Sequence, residues 1–188
     1  MAEPAERLPR NVDEFLRWAE GRPGRFEFVC GRVVAMAPET SLHARVKGLT
    51  YRRLAEAVER ARLPCEVYPD GMTVRIDEAT AFEPDALLRC GMPLAPDALE
   101  VPDPLLVVEV ISPSSGAVDT GRKFEGYFRV PSVRHYLIVD PERRVVIHHE
   151  RVGEEEIRSR VLRAGILHLD PPGIEIAVEA LFPPREMR

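Results

Sequence analysis

The sequence predicts an α/β (α+β) fold, a sheet flanked by helices, and three observations predict it. The run Leu105-Leu106-Val107-Val108-Glu109-Val110-Ile111 lies between Pro104 and Pro113. It is too short for a buried helix and apolar at nearly every position, the signature of an interior strand covered on both faces. The second observation is the helical pattern from Thr40 to Arg62, with Val46, Leu49, Leu54, Ala57, Val58 and Ala61 recurring at intervals near 3.6. The third is the set of short β-branched runs between turns rich in Pro and Gly, interleaved with helical stretches.

In chain order, a first helix is expected over about 12 to 20, capped by Asn11 with Glu14 three residues on. Gly21, Pro23 and Gly24 end it. Phe26 to Val29 and Arg32 to Met36 read as a hairpin turning at Cys30-Gly31. Glu27 alternates with Phe26 and Phe28, so taken alone it belongs to a solvated face. The long helix follows, and its projection puts His43 in line with Leu54 and Ala61. A satisfied core histidine is the plain reading there.

Beyond Pro64 come a strand over Cys65 to Tyr68, a turn at Pro69-Asp70-Gly71 and a strand over Met72 to Ile76. Phe82-Glu83-Pro84-Asp85-Ala86-Leu87-Leu88 carries the next strand, and a loop from Arg89 to Pro104 leads to the Glu109 strand. After a turn over 112–116, a helix is expected from about Thr120 to Arg129, with Asp119 as its cap and Phe124, Tyr127 and Phe128 inward. His135 to Asp140 and Val145 to His149 are further strands. The segments 157–162 and 174–178 read as edge strands.

Composition narrows the function classes. At 188 residues, with 45% hydrophobic and 30% charged side chains, one globular domain over 1–188 is expected, its core at about 12–182. The opening residues lack the apolar core of a signal peptide, and no stretch reaches membrane-spanning length, so a cytoplasmic chain with no membrane contact is expected. Cys30, Cys65 and Cys90 are odd in number and widely spaced, which argues against a disulfide framework and for a reducing compartment. The net charge of −5 means that a polyanion would have to be met by a local basic patch or through a bound metal. Of 26 basic residues only Lys47 and Lys123 are lysines.

The chemistry starts from Glu109. A buried carboxylate requires a cation, a metal or a raised pKa, and a Glu–Arg pair is the plain solution. Asp85 opens another apolar run upstream, and two acids on neighbouring strands make a divalent-cation site. His148-His149 looks like a metal clip, but adjacent strand residues point to opposite faces.

Several of these residues carry a resemblance. Pro84-Asp85 followed by Val108-Glu109-Val110 resembles the PD-(D/E)XK nuclease superfamily. Phe26-Glu27, His43, Glu83-Pro84-Asp85, Glu109-Val110-Ile111-Ser112-Pro113-Ser114, Asp119-x-x-x-Lys123-x-x-x-Tyr127 and His135 to Pro141 are similar, more closely, to its Uma2-type (DUF820) restriction-endonuclease branch. The resemblance implies a restriction-endonuclease-like core, a mixed central sheet in αβββαβ order with an added N-terminal hairpin and C-terminal edge strands. It also implies a DNA endonuclease using Mg²⁺ or Mn²⁺ held by Asp85, Glu109 and the carbonyl of Val110. Glu27 and His43 would stand beside the ion, and a homodimer would reach both strands. Two places depart from the pattern. Ile111 stands two residues after Glu109, where the superfamily places its lysine, so that role passes to Lys123; and Arg32 replaces the acid usual after the hairpin glycine. A nucleic-acid-binding module with a decayed site, or a hydrolase of small phosphoesters, would share these strands.

Overall fold

The computed structural model describes residues 7–111 and 117–184. Helix α1 spans Val12–Ala19, its first turn closed by the Asn11 side chain accepting from the Glu14 amide, as its sequence predicts. Strands β1 (Phe26–Val29) and β2 (Arg32–Ala35) form the expected hairpin. Both turn residues, Cys30 and Gly31, have positive φ, the geometry of a two-residue turn whose twist matches the strands. Helix α2 runs Ser41–Ala61 from a Thr40 cap and ends on Arg62 in the left-handed region.

The central sheet has six strands in the order β10-β9-β8-β7-β6-β3. These are β3 (Cys65–Pro69), β6 (Ala86–Cys90), β7 (Leu106–Val110), β8 (His135–Asp140), β9 (Val145–Arg151) and β10 (Ile157–Leu162). All neighbours are antiparallel except β7 and β8, which are parallel and joined by helix α3 (Ala117–Arg129). The run α2, β3, β6, β7, α3, β8 is the αβββαβ order around a mixed sheet.

A smaller sheet, β2-β1-β5-β4, adds β4 (Val74–Asp77) and β5 (Thr80–Phe82) to the hairpin. The two strands flanking the Pro69-Asp70-Gly71 turn therefore part company, β3 into the central sheet and β4 into the smaller one. Strands β11 (Ile166–Leu169) and β12 (Ile174–Ala177) form a separate ribbon, of which the sequence patterning foreshadowed only the second strand.

Alternation along the central strands sorts the core. Leu106, Val108 and Val110 of β7, Ala86 and Leu88 of β6, and Leu137 and Val139 of β8 pack with α2 and the β11–β12 ribbon. Val107, Leu87, Tyr136 and Ile138 face the other way, onto Tyr127 and Phe128 of α3 and Phe82 of β5. Glu109 alternates onto this second side. Helix α1 covers the smaller sheet through Val12, Phe15, Phe28 and Ala81. Helix α3 comes so close to β5 that a Cβ at Gly126 would lie 2.5 Å from the Phe82 ring.

Three expectations are corrected. Cys65 and Cys90, opposed across β3 and β6, form a disulfide, which removes the compositional argument for a reducing compartment. Two widely spaced cysteines meet because the sheet, not the sequence interval, sets their distance. Helix α3 begins at Ala117, so Asp119 lies in its first turn rather than at a cap. Glu27 is buried, 6% exposed, because the face it lies on turns inward, where Lys123 of α3 and the Glu83 amide meet it. The turn over 112–116 lies outside the described residues. Among the described residues no helix is long and apolar enough to cross a membrane.

Candidate active site

The site is built where β6 begins and β7 ends. Their antiparallel register ends at Ala86 paired with Val108, and the chain just before it places Asp85 beside the Glu109–Val110 end of β7. The Asp85 amide donates to the Val108 carbonyl at 2.9 Å, and Asp85 Oδ2 accepts from the Val110 amide at 2.7 Å. A carboxylate thus stands where the ladder would otherwise place a backbone carbonyl. Glu27, His43, Asp85, Glu109, Val110 and Lys123, the six positions picked out in the sequence, all line one cleft of about 560 Å³.

Among the described residues, the cation on Glu109 is a lysine rather than an arginine. Lys123 Nζ lies 2.9 Å from Glu109 Oε2, and the Tyr127 hydroxyl donates to Glu109 Oε1 at 2.6 Å. Residues 123 and 127 fall one helical turn apart, so one face of α3 supplies both. Lys123 also meets Glu27 Oε1 at 2.9 Å, and that oxygen accepts from the Glu83 amide at 3.1 Å. Burial pushes the Glu109 carboxyl upward, opposed by Lys123 and reinforced by Asp85 and Glu27. Burial alone would lower Lys123, but Glu109 and Glu27 outweigh it and hold the ammonium well above its ordinary value.

A second group of charges surrounds Asp85. Lys47, one helical turn beyond His43, places Nζ 3.0 Å from Asp85 Oδ1 and 2.6 Å from Asp70 Oδ2, and also contacts Glu39. Arg25 bridges Glu39, Asp70 and Glu83 at 2.7, 2.9 and 2.6 Å and approaches Asp85 Oδ1 at 3.9 Å. Burial works against the Asp85 charge, yet His43, Lys47 and the Val110 amide outweigh it and keep the carboxyl below its usual range. His43 Nε2 is 3.6 Å from Asp85 Oδ2, too far for a hydrogen bond, and has no hydrogen-bond partner although buried.

The donor set fits a divalent ion. Six carboxylates (Glu27, Glu39, Asp70, Glu83, Asp85, Glu109) face three cations (Arg25, Lys47, Lys123), an excess of three negative charges when all are ionised. The imidazole nitrogen without a partner beside Asp85 is the kind of atom an ion would satisfy. Ligand atoms of Glu39, His43 and Asp85 come within 4.8 Å of one another, while Glu109 is held apart by Lys123 and Tyr127. Hard oxygen donors of this kind suit a divalent ion such as Mg²⁺ or Mn²⁺.

Sequence reasoning missed Arg25, Glu39 and Asp70 as members of the site, since each looks like an ordinary turn or surface charge. The signal that could have found them was Lys47, the second lysine of an arginine-rich chain, which carries them all with it. His148 and His149 do point to opposite faces. His149 packs on Phe124 and Tyr136, and His148 is buried against His135.

A family whose description reads "Putative restriction endonuclease", named Uma2, matches residues 12–180. Two uncharacterized proteins of Synechocystis sp. are similar to this chain. One, sll1609, is 27% identical over 146 residues, covering 76% of this chain and 81% of its own. The other, slr1290, is 23% identical over 182 residues and covers 95% of both. Among solved structures, a "putative nuclease belonging to DUF820" from Anabaena variabilis superposes with a TM-score of 0.74 at 13% identity, covering 92% of this chain and 97% of that one.

Proposed function

The chain belongs to the Uma2 family, and from that premise we propose that it is a metal-dependent DNA endonuclease, its Mg²⁺ or Mn²⁺ held by Asp85, Glu109 and the Val110 carbonyl. The observation that carries this reading is Asp85, tied to the Val110 amide, standing beside the Glu109 end of β7, with Lys123 on Glu109 and the His43 ring 3.6 Å from Asp85.

A divalent ion at these oxygens supplies charge neutralisation on the scissile phosphate and an acidified water. The protein's own groups do the rest. Asp85 is fixed by the Val110 amide, so one of its oxygens is oriented by the sheet itself. Lys123 keeps its proton between two acids and offers an ammonium to the developing phosphorane charge and to the attacking water. Glu27 and Tyr127 position it, Glu27 by direct contact and Tyr127 by fixing the rotamer of Glu109. His43 stands beside Asp85 on its Lys47 side. Cutting both strands of a duplex calls for two such clefts, hence a homodimer.

A second reading, hydrolysis of small phosphoesters, is favoured by one observation. Among the described residues lining the cleft no arginine occurs, and Lys123 is the one lysine or arginine. One experiment separates the readings. Titration with Mn²⁺ and Mg²⁺ is followed by assay on linear, supercoiled and single-stranded DNA and on bis(4-nitrophenyl) phosphate. The nuclease reading expects metal-dependent DNA cleavage, and loss of both cleavage and the metal-induced rise in Tm in Asp85→Asn. Hydrolysis of the small ester alone transfers the assignment to the second reading. DNA binding in chelator, with no hydrolysis of any substrate on adding metal, leaves a binding module.

A further inference from the structure

Lys47 is buried, its side chain 8% exposed, and its ammonium is gripped by carboxylates from three separate segments. Glu39 lies just before α2, Asp70 in the turn after β3, and Asp85 at the head of β6. Two of the contacts are 2.6 and 3.0 Å, and the third, to Glu39, is also direct. Three carboxylates converging on one point charge, with the His43 imidazole 3.6 Å from Asp85 at their side, is the surrounding a protein gives a divalent ion. Here the point charge is covalently part of the chain. A guanidinium would not serve as well, since its planar fork spreads the charge, whereas an ammonium is compact and ion-like. In a chain with 24 arginines and two lysines, that choice is informative.

We infer that the Lys47 ammonium is a built-in substitute for a second divalent ion, which confines metal to the Glu109 side of Asp85 and makes the site a one-ion site. The inference rests on the metal reading above. Charge bookkeeping agrees with it. With Lys47 present the excess of three negative charges is nearly balanced by one divalent ion. Without Lys47 the excess is four, and two ions balance it. Glu39, His43 and Asp85 already lie close enough together to take the second.

The test counts ions rather than turnover. Mn²⁺ binding to the full chain is titrated by the paramagnetic signal of the free ion, alongside Tm in chelator and in Mn²⁺. Wild type is expected to bind one ion. Lys47→Met is expected to bind two, with a lowered Tm in chelator that Mn²⁺ restores. Lys47→Met/Asp70→Asn, which removes one charge of each sign from the cage, is expected to return to one ion. Lys47→Gln keeps two donors one atom closer to the backbone and drops the charge, and it replaces Lys47→Met in the titration should that variant not fold. It too is expected to bind two. One ion in wild type and one in the Met or Gln variant overturns the inference and leaves the metal site standing, as does two ions in wild type. No ion in any of them overturns both.

Discussion

Lys123 shows how much rests on the identity of a single side chain. Its ammonium is shared by Glu27 and Glu109 at equal distances, and both contacts are buried. Arginine would keep the charge but spread it over a planar fork instead of a compact ammonium. Lys123→Arg is therefore expected to fold and bind Mn²⁺ while cleaving at a rate lower by about 10²-fold or more, the scale of losing one positioned donor to developing charge. Cleavage at the wild-type rate in a single-turnover assay would remove Lys123 from the mechanism. This residue was legible in the sequence through its spacing to Tyr127 and the scarcity of lysine. Glu27 was legible only through the resemblance, because its alternation with Phe26 and Phe28 reads as a wet face until Lys123 of α3 is brought against it.

At the level of elements, two contacts hold the layers in place. Helix α3 lies on β5 through Gly126, whose missing side chain makes room for the edge of a Phe82 ring that itself packs on Tyr127. Gly126→Ala gains about 1 kcal/mol of helix propensity, but overpacking against a buried ring costs about 1–3 kcal/mol. A net loss of stability in urea unfolding is expected, and a gain would show that the helix can shift away. The second contact is a chain of fixed protons between β8, β9 and the ribbon. Pro171 offers only a carbonyl, so His135 Nε2 donates to it at 2.8 Å. His135 Nδ1 must then accept from His148 Nε2 at 3.0 Å, and His148 Nδ1 accepts from Arg160 at 3.2 Å. Burial, with His135 and Arg160 nearby, holds His148 neutral with its pKa lowered to about 3. The unfolded chain takes up a proton near the ordinary value of 6.5 and the folded one does not, so acid favours unfolding. The contribution is complete above about 6.5 and shrinks as the pH falls toward 3. Stability measured across that window should decline more gently in His148→Gln, and an unchanged slope would exclude His148 as its source. The sequence made the strands readable but not this chain, since the partners come from segments 13 and 36 residues apart.

For the molecule as a whole, charge governs how a polyanion is met. With a net charge of −5 and an acid-rich cleft, DNA affinity is expected to need the divalent ion and to fall steeply with added salt. Filter binding in chelator and in Ca²⁺ at several salt concentrations checks this, and tight binding in chelator at moderate salt contradicts it. The sequence carried the order of helices and strands in the central sheet well, because each has its own period. It did not carry how β3 and β4 divide between two sheets, which depends on non-local pairing no local pattern encodes. That division also brings the Asp70 turn beside α2. The hydrogen bond from the Val110 amide to Asp85 bears on folding order. The same oxygen that orients the acid is a rung of the sheet, so β6 and β7 must zip in one alignment before the site exists. A slip by one residue would turn Glu109 to the opposite face of the sheet and strand the amide. An ion held at that site would discriminate between aligned and misaligned chains, and so would act on the folding landscape as a proofreader of strand pairing.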